Sequence, residues 1–287
     1  MYDGLSKIAT CLAGLVLRGG RYPGRALVAS TYRRAARLRR SHRFTVTAGD
    51  GVKLDACYLP AVNHSHGRLT VVILHGWLEI KELYLERALR LNGQGHGVVL
   101  FDQRAHGCSE GDVSTFGVRE HIDTTNVIDT AGALGMATER VITMGHSMGG
   151  ATALQHAAID ARVAGVVAFA PFLSFEQAIE SFRQAWVPWT DRGWVRRGFD
   201  SAVGAAGFDA SESDVLEAMR QLQIPVMLVE GGLDRNLPPV HHTRPLAAAK
   251  ADGKLEIFTV AQATHYTLPR QTWPGLDDAI ERFCTTV

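Results

Sequence analysis

The chain has 287 residues, 46% of them apolar, and a formal net charge of +1. That length and apolar content exclude a disordered chain or a disulfide-stapled miniprotein, and they predict one large domain with an ample core. Four scattered cysteines, Cys11, Cys57, Cys108 and Cys284, form no Cys-x-x-Cys pair, which excludes a clustered zinc site and predicts reduced thiols in a cytoplasmic protein.

Charge is unevenly spread. Residues 1–43 carry ten basic side chains against one acid, Asp3, so this extension holds an excess of +9 and the remainder −8. Ile8–Leu17 is too short to span a bilayer and lacks an Ala-x-Ala cleavage site. The pattern predicts helices over Leu5–Leu17 and Pro23–Arg40. Two readings of this extension stay open: helices packed on the body with a solvated basic face, or a peripheral membrane contact through residues 1–40. His42–Thr47 and Val52–Leu59 predict a hairpin around Gly49-Asp50-Gly51, at the edge of a sheet. An apolar strand from Val71 runs into His75-Gly76-Trp77, followed by a helix near Ile80–Leu91, a strand at Gly97–Phe101 and a helix at Val118–Leu134. A strand at Arg140–Met144, a small-residue helix at Gly150–Ala158 and a strand at Val163–Ala168 come next. Strand–helix alternation then stops between Pro171 and Gln223, where Phe172, Phe175, Phe182, Trp186, Trp189, Trp194, Phe199 and Phe208 accumulate. It resumes with strands at Pro225–Glu230 and Leu255–Val260 and a helical stretch near Val240–Ala251 between them. Such alternation predicts an α/β fold with a mostly parallel sheet and helices on both faces.

Between the strand ending at Met144 and its helix lies Gly145-His146-Ser147-Met148-Gly149. This is the G-x-S-x-G turn that lifts a serine Oγ clear of a sheet, and its strand-before, helix-after context is the one the motif requires. A serine hydroxyl needs a base to take its proton and an acid to orient that base. Downstream, Asp234 follows a strand in Gly231-Gly232-Leu233-Asp234, and His265 follows the last strand in Ala263-Thr264-His265. The order Ser, Asp, His is that of this elbow type.

With Val71-Val72-Ile73-Leu74-His75-Gly76-Trp77 and Phe101-Asp102-Gln103-Arg104-Ala105-His106-Gly107-Cys108-Ser109, these segments resemble the α/β-hydrolase superfamily, in particular serine hydrolases of esterase, lipase and aminopeptidase type. Ala105 stands where glycine is usual. The resemblance covers roughly residues 44–287 and implies an α/β-hydrolase domain preceded by the basic extension 1–43, with a helical lid inserted at about 171–223. It further implies Ser147 as nucleophile, His265 as general base and then acid, Asp234 as the orienting carboxylate, and the backbone N–H groups of Met148 and Trp77 as the oxyanion hole. The His-Gly-Gly-Gly loop of some relatives is absent, which leaves the second oxyanion donor open between Trp77 and Leu78. Glu230 is the rival carboxylate, and the Gly-x-x-Asp spacing favours Asp234.

His146 is expected to pack beneath the site, His75 and His106 to brace loops, and Asp102 to brace the Arg104 turn. His241 and His242 do not share a helical face, so no metal site is expected there. No phosphate loop, dinucleotide fingerprint or aromatic-interleaved basic groove occurs, so no cofactor and no nucleic acid are expected. The expected substrate is a small acyl compound with an apolar group, cleaved through an acyl-enzyme. Acyl transfer, thioester or carbon–carbon cleavage, and a non-catalytic ligand-binding shell stay open as alternatives.

Overall fold

The computed structural model describes residues 10–11, 13–18, 41–61, 69–250 and 253–287. Eight strands form one sheet: β1 His42–Thr47, β2 Lys53–Leu59, β3 Thr70–Leu74, β4 Gly97–Phe101, β5 Val141–His146, β6 Val163–Phe169, β7 Val226–Gly231 and β8 Leu255–Val260. The helices are α1 Leu85–Gly93, α2 Glu120–Ala133, α3 Met148–Ile159, α4 Phe175–Trp186, α5 Arg192–Ala206, α6 Val215–Gln221, α7 Thr243–Ala249 and α8 Leu276–Thr286. Strand order is β1-β2-β4-β3-β5-β6-β7-β8, with β2 antiparallel to both its neighbours and every later pairing parallel. This is the α/β-hydrolase fold that the resemblance implies.

The strand sequences explain the layers. Every residue of β3 and β4 is buried, as parallel strands covered on both faces require. Their side chains alternate between two cores. Val72, Leu74, Val99 and Phe101 pack with α2 and α3 residues Val127, Ile128, Ala151 and Leu154. Val71, Ile73, Val98 and Leu100 pack with Ala88 and Leu91 of α1 and with Ala279, Ile280 and Phe283 of α8. After β3 the chain moves to β4 on one side, then returns to β5 on the other. The C-terminal ends of β3 and β5 therefore flank a switch point, where open α/β sheets form their ligand crevice.

Two predicted helices start differently. The one expected at Ile80–Leu91 begins as a 3-10 turn, Lys81–Tyr84, before α1. Asp102 captures both the Lys81 backbone N–H (2.9 Å) and its Nζ (2.6 Å), which holds that turn against the sheet. The helix expected from Val118 begins at Glu120, whose carboxylate accepts from the Thr115 and Gly117 amides and fixes the preceding turn.

At the N-terminal end, the described residues between 10 and 17 are helical. Ala13 and Leu17 are buried in the first core, and Leu15 is exposed. Most of the segment expected to touch a membrane, including the helix at Pro23–Arg40, lies outside the described residues. No helix among the described residues is long and apolar enough to cross a membrane.

Candidate active site

Ser147 stands at the end of β5 with φ 54° and ψ −114°. A non-glycine residue held there costs about 1–3 kcal/mol, so its surroundings must impose the turn. They do so by close approach. A Cβ on Gly149 would lie 2.3 Å from the Leu74 carbonyl oxygen, and one on Gly145 would lie 2.1 Å from that of Gly149. The Ser147 N–H donates to the Phe169 carbonyl at 2.8 Å, which ties the elbow to β6.

The turns after β7 and β8 bring the other two residues to this point. His265 Nε2 lies 3.0 Å from Ser147 Oγ, and His265 Nδ1 lies 2.7 Å from Asp234 Oδ2. Asp234 Oδ1 is occupied by the backbone N–H groups of Asn236 (2.9 Å) and Leu237 (2.8 Å). Because an ionised carboxylate only accepts, Nδ1 carries the histidine proton and Nε2 turns its lone pair to the serine. Glu230 does not join them. It accepts from Thr259 Oγ1 (2.8 Å) and from Arg244.

Trp77 lines the same cavity as Ser147 and His265. Of the two amides considered after Gly76, that of Leu78 is committed to His106 Nε2 at 3.3 Å. His106 Nδ1 in turn donates to the Arg104 carbonyl (2.8 Å), and burial pushes the ring down to a pKa of about 4, so it remains a neutral brace. His75 donates from Nδ1 to the Gly76 carbonyl (2.7 Å) and accepts at Nε2 from the Gln103 N–H (2.9 Å). Ala105 adopts φ 61°, the left-handed geometry that makes glycine usual at its position.

One group escaped the sequence reading. Glu79 is buried beside the serine, accepting from the Gly76 N–H (2.7 Å), Tyr84 Oη (2.5 Å), His146 Nδ1 (3.3 Å) and Arg270 Nη2 (2.5 Å). His146 thus packs under the site as expected, its ring centroid 4.7 Å from that of His265, and its partner is a carboxylate 67 residues away. Burial alone would raise the Glu79 pKa; His146, Tyr84 and Arg270 outweigh it and hold the carboxyl well below its ordinary value of 4.5. Only its place two residues after Gly76-Trp77 hinted at this role, and nothing local marks its partners. Since its folded pKa is depressed, Glu79 stabilises the fold above about pH 4.5, and that contribution is lost as pH falls through the folded value. Glu79→Gln is therefore expected to lower stability at pH 7 by about 3–5 kcal/mol and to flatten the loss toward acid pH. Urea unfolding at pH 7 and pH 4 checks this; equal stability of the two proteins at pH 7 would refute it.

The cavity around Ser147 encloses about 170 Å³, lined by Trp77, Leu78, His146, Phe182, Tyr266 and Arg270 among others. Of the eight aromatics noted between Pro171 and Gln223, Phe182 lines the cavity with Ser147. Phe175 instead packs on Phe116, Phe199 and Phe208. A larger cavity of about 680 Å³ lies between α4 and α5 and contains none of the three site residues. A second serine–histidine contact, Ser181 Oγ to His242 Nε2 at 2.8 Å, is of a different kind. His242 Nδ1 accepts from the Leu173 N–H (3.1 Å), so Nε2 carries the proton and cannot take one from Ser181. Burial lowers this histidine to about 4 and keeps it neutral. Among the described residues, Asp55, Asp102 and Cys108 come close enough together to share a cation. Lys81 Nζ already lies between the two carboxylates, at 2.5 and 2.6 Å.

The chain's likeness to known proteins bears on its family and fold. The family model described as serine aminopeptidase, S33 matches residues 65–206. Two uncharacterized proteins of Mycobacterium tuberculosis, from strains CDC 1551 / Oshkosh and H37Rv, are each 26% identical over 247 residues, spanning 84% of this chain and 78% of theirs. Among solved structures, an esterase of Pyrococcus furiosus superposes with a TM-score of 0.68 at 20% identity, covering 86% of this chain and 92% of that one. An acetyl xylan esterase from Paenibacillus sp. R4 gives 0.64 at 17% identity, with 93% and 95% covered. At these identities the structural likeness shows the fold.

Proposed function

The chain belongs to the α/β-hydrolase superfamily, and we propose that it is a serine hydrolase that cleaves a small carboxylic ester or related acyl bond through an acyl-enzyme. One observation carries the reading: a continuous hydrogen-bonded relay from Ser147 Oγ through His265 to Asp234, opening into a cavity at the strand ends. Ser147 Oγ attacks the carbonyl carbon while His265 Nε2 takes its proton, and Asp234 holds the resulting imidazolium. The carbonyl π electrons move to oxygen, where the N–H groups of Met148 and Trp77 meet the charge; one such donor contributes about 2.7–4 kcal/mol. Collapse expels the alcohol, which takes the proton back from His265. Water then repeats the sequence and frees the acid. Scattered cysteines without a paired motif support a cytoplasmic setting. In this reading the 171–223 insertion is a lid whose Phe182 walls the acyl site.

Labelling with a fluorophosphonate, followed by mapping of the modified peptide, tests the proposal: modification of Ser147 supports it, and an unlabelled Ser147 in folded protein rejects it. The cavity sets the acyl preference. At about 170 Å³ it lies below the range of about 300–1,000 Å³ usual for drug-sized ligands. Along a series of p-nitrophenyl esters, kcat/KM is expected to rise from acetate to butyrate, by up to about 0.8 kcal/mol per CH₂, and then to level off. A flat series, or a maximum at octanoate, would show that the pocket has been misread.

A further inference from the structure

The N-terminal helical segment ends directly against the turn that carries Trp77. The last carbonyls of a helix have no partner within it and must find one elsewhere. Here the body of the protein supplies both. The Val16 carbonyl accepts from the Trp77 indole Nε1–H at 3.0 Å, and the Leu17 carbonyl accepts from the Ser114 backbone N–H at 2.7 Å. Ser114 Oγ lies 3.3 Å from Met148 Sδ and 3.2 Å from Glu120 Oε1. Leu17, only 1% exposed, is buried in the core that also holds Phe116 and Met148, and Val16 and Trp77 pack against that core. The Trp77 ring is flanked by Phe116 and Phe182, with ring centroids 6.2 and 6.1 Å away.

We propose that residues 13–18 are a positioning strut for the oxyanion pocket, holding Trp77 through its indole and Met148 through Ser114, so that the extension contributes to turnover although it touches no substrate. This rests on the serine-hydrolase reading above. The physical case is one of unpaired groups. Without the strut, a half-buried indole N–H and a buried amide lose their acceptors, and the turn bearing the Trp77 amide is free to seek others. Oxyanion donors act by being aimed in advance, so a small displacement costs rate more than substrate affinity.

The test uses full-length protein with two substitutions. Trp77→Phe keeps the ring between Phe116 and Phe182 but removes the donor to Val16. Leu17→Ala removes the anchor that seats the strut. Sites are counted by fluorophosphonate labelling, and kcat is expressed per labelled serine. Each variant is expected to lose roughly 10- to 100-fold in kcat, with KM within about twofold of wild type. The inhibition constant of a trifluoromethyl ketone, which forms a tetrahedral adduct on serine, should rise in parallel with the loss in kcat. Leu15→Ala, on the exposed side of the same segment, should match wild type. Should Leu17→Ala not fold, Trp77→Phe alone decides. A lower labelled fraction or melting temperature with unchanged kcat per labelled serine overturns the proposal, as does a rise in KM alone. Wild-type protein that turns over no ester and takes no label removes the serine reading, and the strut with it; a labelled, active wild type beside unaffected variants removes the strut alone.

Discussion

Ser147→Ala is expected to lower ester turnover by about four to six orders of magnitude and to leave the fold intact. The substitution removes the attacking oxygen and the group facing His265 Nε2, while the elbow is fixed by contacts that alanine keeps. Its N–H still donates to Phe169, and Gly145 and Gly149 still allow the close approach of helix and strands. Alanine adopts a positive φ at a cost similar to serine, so melting temperature and circular dichroism should match wild type. Residual catalysis above the water rate is expected from the oxyanion donors and binding alone. Turnover of p-nitrophenyl acetate by the purified variant measures the effect, and a rate near that of wild type would exclude Ser147 as the nucleophile.

Asp234→Asn is expected to cost about four orders of magnitude in kcat. An asparagine in the same pose can still accept from the Asn236 and Leu237 amides through its oxygen, which leaves its NH₂ pointing at His265 Nδ1. Nδ1 must then accept, so the proton moves to Nε2 and the lone pair that faced Ser147 is lost. The defect is one of tautomer, and stability should change little. Glu230→Gln makes the contrasting case. Its partners are Arg244 and Thr259, so removing its charge should lower stability by about 1–3 kcal/mol while leaving kcat near wild type. Parallel kinetics and denaturation of the two variants separate the assignments. A larger rate loss in the Glu230 variant would reverse them.

Much of the fold was legible because its signals are local. β4 and β8 fall at Gly97–Phe101 and Leu255–Val260, where apolar runs bounded by turn residues predicted them. The elbow was legible for the same reason: two glycines, a serine and a following run of small residues are all the local geometry it needs. The starts of α1 and α2 were misplaced by a few residues because side chains from elsewhere, or from one turn ahead, capture amides in the turns that precede them. Helical periodicity carries no trace of such captures. The aromatic set in the 171–223 insertion was visible, but its division between a packed cluster around Phe175 and one wall residue, Phe182, was not. Composition says that rings must be covered, and only packing says by what.

The sequence by itself singled out the residues proposed to carry the chemistry: a serine in a strained turn, a histidine and an aspartate each placed just beyond a strand, in an order and fold that bring such positions to one edge of a sheet. Tertiary structure alone decided the rest. It set the Asp234 carboxylate on His265 and that of Glu230 on Arg244 and Thr259, in line with the spacing that favours Asp234. It joined Glu79 to His146 and Arg270, respectively 67 and 191 residues further along the chain, and it set the Val16 carbonyl against the Trp77 indole across 61 residues. The division has one physical cause. Strand periodicity and turn chemistry are properties of neighbours along the chain, whereas a buried charge or donor is satisfied by whatever group the finished fold brings within hydrogen-bond distance.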